Sequence, residues 1–140
     1  MTARATSRME AIPRWRRSAA TGILVLAALG ALYAFVAAIP TVRAASPETV
    51  VVESWRLFGF LVFAGLFLLL AYRPDQYPGV WELVIFHKAA LAVYLAGFGT
   101  DAVDGPAVAA TDGALAIALV VAYLLVEGYR NWDRLRKSAA

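Results

Sequence analysis

The sequence predicts an all-α fold: a polytopic membrane protein built as an antiparallel bundle of four transmembrane helices. Three observations carry this. Of the 140 residues, 61% are hydrophobic and 16% charged, an apolar share above the roughly 45–50% of soluble domains. The apolar residues fall into four runs, each long enough to cross about 30 Å of hydrocarbon. The charges gather in the two tails and the short connectors, where water and lipid headgroups solvate them.

Residues 1–18 form a basic tail, with Arg4, Arg8, Arg14, Arg16 and Arg17 against Glu10 alone, suited to an anionic lipid surface. The first span covers 19–39, without a charge, and stops at Pro40. Basic residues before an apolar run also open a signal peptide, but this run exceeds the usual length of such a core and reads as a retained span. Gly30, Ala34 and Ala38 recur every fourth residue, a spacing that admits a neighbouring helix at close range.

The second span, about 50–72, follows Ser46-Pro47-Glu48. There serine can cap free N–H groups, proline is pre-set for a first turn and glutamate complements the helix dipole. The span carries Glu53 and Arg56, continues as an apolar run to Leu70, and ends at Arg73-Pro74. The third span, about 80–98, is the most polar, with Glu82 near its start and His87 and Lys88 in its middle. The fourth, about 108–129, carries Asp112 and Glu127, and residues 130–140 form a second basic tail. Asp112, Ala116, Leu119, Tyr123 and Glu127 follow helical spacing and are expected to face the bundle interior. Trp15, Trp55, Trp81, Tyr129 and Trp132 fall near span ends, as an aromatic belt requires.

Basic residues orient the bundle. The N-terminal tail holds five, the C-terminal tail four, and the connector between spans two and three has Arg73, whereas the other two connectors offer Arg43 alone. Both termini are therefore expected on the cytoplasmic side of the cytoplasmic (inner) membrane.

The chain has no cysteine and one histidine, so disulfides, thiolate metal sites and histidine-rich metal sites are excluded, and neither a metal nor a cofactor is expected. Phosphate-binding glycine loops and nucleophile elbows are missing. The basic tails read as topology signals, and no nucleic-acid partner is expected.

A rise of about 1.5 Å per residue places Arg56 and Asp112 roughly 9 Å to the outer side of the midplane, with Glu53 about one turn further out. Together these three form the expected polar core, with Asp101 and Asp104 in the outer connector over the same mouth. Either the charges neutralise one another and lock helix two against helix four, or they form a ligand or catalytic site there. In the second case Glu53, Asp112 and His87 are the candidate acid/base groups. Near the midplane, Lys88 requires an acceptor on another helix or a neutral form, and His87, about 100° around the axis, requires a hydrogen bond or serves proton transfer.

Glu53-Ser54-Trp55-Arg56-Leu57-Phe58-Gly59, the Phe63-Ala64-Gly65 continuation and the Asp104-Gly105-Pro106 connector resemble the small four-helix membrane proteins of the DoxX-like and DUF4345-like families. The resemblance implies a four-helix membrane fold with Glu53 and Arg56 at its outer end; His87 and Lys88 lie outside that pattern. The function expected from these readings is an accessory or lipophile-binding membrane component. The alternatives are a membrane-embedded enzyme acting on a lipid, quinone or terpenoid, and a small oligomeric transporter. The expected partners are membrane lipids, a lipophilic small molecule, and a second copy or another membrane protein.

Overall fold

The computed structural model describes residues 12–138. The first part of the basic tail, with Arg4 and Arg8, lies outside the described residues. Four long helices follow one another, α1 (Arg14–Arg43), α2 (Val50–Tyr72), α3 (Val80–Phe98) and α4 (Gly105–Leu125), and a single 3₁₀ turn (Gly128–Arg130) leads into a short α5 (Asn131–Ser138). All four long helices have the length and apolarity to cross a membrane. They form an up-down-up-down bundle. The start of α1, α5 and the α2–α3 turn share one end, called here the terminal end, and the other two connectors share the far end.

Two helices, α1 and α4, differ from the sequence expectation at both ends, and α1 already begins at Arg14, inside the expected basic tail. Pro40 lies inside α1, which continues to Arg43. Proline withholds the donor that the Val36 carbonyl would take, yet the helix continues past it, and the Ala44 N–H bonds the Pro40 carbonyl at 3.0 Å. The fourth helix begins at Gly105 and stops at Leu125. Glu127 then takes a left-handed conformation, φ 52°, that no helix continues through. At the start of α2 the Ser46 carbonyl accepts the N–H groups of Thr49 and Val50. The Ser-Pro-Glu signal thus forms a lead-in turn, and the regular helix begins four residues later.

α1 packs along α2 and α3 along α4, α1 also meets α4, and α2 and α3 scarcely touch. The bundle is therefore a ring, α2–α1–α4–α3, loose at one seam. Its core sits in the terminal half: Ala20, Leu24 and Ala28 of α1, Phe67 and Leu70 of α2, Trp81 and Val84 of α3, and Leu119 and Ala122 of α4. Small residues among these, Ala20, Ala28 and Ala122, let helices pack closely, and dispersion is the main attraction when the surrounding solvent is itself hydrocarbon.

Polar contacts close the terminal end. Glu82 is their hub: its Oε1 accepts the Tyr123 hydroxyl at 2.7 Å and the Trp132 indole N–H at 2.9 Å, and its Oε2 accepts the Gly79 N–H at 3.1 Å. The Pro74 carbonyl accepts the Trp81 indole N–H at 2.9 Å and the Asn131 amide at 3.1 Å. Trp81 is fully buried, which corrects its expected place in the aromatic belt: α5 and the α2–α3 turn cover it. Trp15, Trp55, Tyr129 and Trp132 are exposed near helix ends, and Glu127 pairs with Arg16 and Arg130.

At the far end, Asp104 adopts φ 61° and Pro106 occupies the first turn of α4. A Cβ on Gly105 would lie 2.0 Å from the Gly99 carbonyl oxygen, so this crossing requires glycine, whereas one on Gly30 would meet nothing within 4 Å. Gly105→Ala is therefore expected to destabilise the bundle by about 1–3 kcal/mol, as overpacking against backbone does. Gly30→Ala should leave stability unchanged or raise it by about 0.5–1 kcal/mol through the lower entropy of its unfolded chain. Thermal unfolding of the two variants in one detergent checks the order.

Candidate functional site

Among the described residues, one buried ion pair lies at mid-depth in this bundle. Lys88 is the ninth of the 19 residues of α3, and Asp112 lies three residues from the centre of α4, about 4.5 Å along its axis. The Lys88 Nζ donates to Asp112 Oδ1 at 3.0 Å, and the side chains are only 9% and 11% exposed. A charge at this depth costs about 3 kcal/mol or more if it stands alone. Each of these charges is therefore held by the other, and together they carry none.

Phe63 of α2 completes the surroundings. Lys88 Nζ lies 4.3 Å from the centroid of its ring, a cation–π contact strengthened where water is excluded. The His87 ring lies against the same phenyl group, with centroids 4.7 Å apart. Phe63 thus ties α2 to the middle of α3 across the loose seam.

The pair borders a cavity of about 500 Å³, within the roughly 300–1,000 Å³ of small-molecule pockets. Its walls are Ile23, Ala27 and Ala31 of α1, Phe60, Phe63 and Phe67 of α2, and Leu115 and Ala118 of α4; its polar lining is Lys88, Asp112 and Thr111. The Thr111 hydroxyl donates to the Ala107 carbonyl at 2.8 Å, so its hydrogen is committed. Leu26, Gly30, Thr111 and Ala114 are exposed at the rim, and the space opens sideways where α1 and α4 part. Of the small-residue stripe Gly30, Ala34 and Ala38, the first two line this space and Ala38 is buried.

In comparisons with protein-family models, curated proteins and solved structures, nothing matches this chain. The site is read from its own chemistry.

The structure separates the residues expected to form one polar core. Arg56 pairs with Glu53 at 2.6 Å within α2, and the two lie outside the cavity lining. The expected proximity of Arg56 and Asp112 is corrected for a geometric reason. α2 and α4 are not neighbours in the ring and the exposed Arg56 is paired within α2, while the earlier start of α4 brings Asp112 towards the level of Lys88. Asp101 and Asp104 are exposed in the far connector, and no ion pair joins them to Asp112 among the described residues. His87 is exposed beside Phe63, and among the described residues it makes no hydrogen bond.

Phe63 and Thr111 are the site residues that sequence reasoning did not single out. A phenylalanine in an apolar run carries no mark of contact with a cation. The pair itself had a usable signal: Lys88 needs an acid at mid-depth, and Asp112 is the acid nearest that level once α4 begins at Gly105.

Breaking a buried pair leaves a lone charge, while removing both partners does not. Lys88→Met or Asp112→Leu alone should each lower stability by about 3 kcal/mol or more, and the double variant should recover most of that loss. Glu53→Gln should cost less than about 1 kcal/mol, its pair being partly solvated. A double-mutant cycle on thermal or denaturant unfolding measures all of these.

Proposed function

We propose that this chain is a multi-pass protein of the cytoplasmic membrane, DoxX-like in type, that binds a lipophilic small molecule in the crevice beside Lys88 and Asp112. The observation that carries the reading is the form of that space. It is apolar along its walls, open to the side of the bundle, and ends at a neutral but strongly polar pair. A molecule dissolved in the acyl layer can enter laterally without crossing a headgroup region. Beyond the pair, Leu24, Phe67, Leu70, Trp81 and Leu119 fill the terminal half with no exposed surface, which favours a binding pocket that ends blind over a transport path through one chain.

The orientation rests on charge. Arg14, Arg16, Arg17, Arg73, Arg130 and the basic residues of α5 gather at the terminal end, against Arg43 and Arg56 at the far end. That asymmetry supports cytoplasmic termini.

Two outcomes are expected. Native mass spectrometry of the protein in mild detergent should show a lipophile bound at about one per chain. Ala118→Phe, which fills the cavity, should lose it while keeping helicity and thermal stability close to the parent. Retention of the lipophile by a folded Ala118→Phe variant would reject this site. For topology, the chain is naturally free of cysteine, so single cysteines report cleanly. Thr100→Cys should react with an impermeant maleimide in intact cells, and Ser138→Cys only after permeabilisation; the reverse pattern would invert the orientation.

A further inference from the structure

The head group that fits this crevice follows from charge and hydrogen-bond accounting at the ion pair, given the reading that a lipophile binds there. We infer that the ligand is a neutral lipophilic alcohol, an aliphatic or polycyclic body with a single hydroxyl seated between Lys88 and Asp112.

Lys88 and Asp112 already neutralise one another at 3.0 Å. An anionic or cationic head group would leave a net unit charge at mid-depth, where no second counter-charge lies in the cavity lining. The head group is therefore neutral.

Hydrogen bonding narrows the class further. An ammonium has three hydrogens: one is taken by Asp112 Oδ1, and the Phe63 ring lies against another side of the group. That leaves a donor without an acceptor among the described residues. Asp112 Oδ2 likewise receives no hydrogen bond among them. The Thr111 hydroxyl does not serve Oδ2, because its hydrogen goes to the Ala107 carbonyl. The site thus presents one donor and one strong acceptor side by side. A hydroxyl satisfies both with one oxygen, accepting from Lys88 and donating to Asp112, whereas a ketone or ester only accepts and leaves the carboxylate unanswered.

Depth supplies the third restriction. The pair lies at the centre of α3, about half the hydrocarbon thickness from either surface. A phosphate-bearing or multiply polar head group would have to be stripped of water to reach it, and one hydroxyl is the smallest group that meets both requirements. The alanine and phenylalanine walls ask only that the rest be hydrocarbon.

The test is a series of 16-carbon probes at one mole fraction in phospholipid nanodiscs containing the delipidated full chain: hexadecan-1-ol, hexadecan-2-one, hexadecyl sulfate and hexadecyltrimethylammonium. Occupancy is read by native mass spectrometry. The alcohol is expected to bind at least about tenfold more tightly than the ketone and than either ion, the scale of one hydrogen bond to a charged group. In Lys88→Met/Asp112→Leu the alcohol should still bind but lose its advantage over the ketone. Equal binding of alcohol and ketone, or tighter binding of either ion, by the parent chain overturns the head-group assignment and leaves the lipophile site standing. Failure of all four to bind, with Ala118→Phe indistinguishable from the parent, overturns both. The series on the parent chain decides even if the double variant does not fold.

Discussion

The Lys88–Asp112 pair sets the terms for the rest of the bundle. Hydrocarbon does not solvate an isolated ammonium or carboxylate, so the two charges hold α3 and α4 at the one relative height where Nζ and Oδ1 meet at 3.0 Å. An apolar contact slides at little cost in lipid, where one methyl group is much like another. A buried pair does not slide, and its register is transmitted along both helices. Phe63 then brings α2 to the same level by offering its ring face to the ammonium.

Below and above that level the bundle is built differently. Towards the terminal end, alanines on α1 and α4 let the backbones close up, large side chains fill the gaps, and Glu82 gathers donors from Gly79, Tyr123 and Trp132. These contacts bind α5 and the α2–α3 turn to the first turn of α3, so the end is held by directional bonds as well as packing. Towards the far end fewer side chains are buried, Ala38 of α1 and Leu57 of α2 among them, and the space between α1, α2 and α4 is bounded by small residues and phenylalanine rings. Beside the closed half lies a pocket with a polar floor at Lys88 and Asp112.

The same physics explains why different charged residues have different standing. Glu53 and Arg56 sit one turn apart on α2, partly exposed, and neutralise each other locally. They need nothing from another helix, and so they are not drawn into the interior. Glu82 and Glu127 lie near the terminal end, where donors from side chains and backbone are plentiful. At mid-depth the charges of Lys88 and Asp112 answer one another across two helices, and there they adjoin a cavity.

Much of the architecture was legible in the residues alone. Four apolar runs, their punctuation by Arg73-Pro74 and Asp104-Gly105-Pro106, and the separation of charge from hydrocarbon together specify the all-α bundle, because a backbone in lipid must satisfy its own hydrogen bonds. That Lys88 needed an answer from another helix was also legible, since depth alone makes its charge costly. Which acid answers it was not: helix rotation and the true start of α4 decide whether Asp112 faces Arg56 or Lys88, and both depend on packing between segments distant in sequence. The burial of Trp81, the role of Phe63 and the crevice lined by Gly30 and Ala34 belong to the same class. Local composition determines which segments enter the membrane and how far each residue lies along them. The facing of side chains and the space left between helices are properties of the assembled ring, and only the tertiary structure decided them.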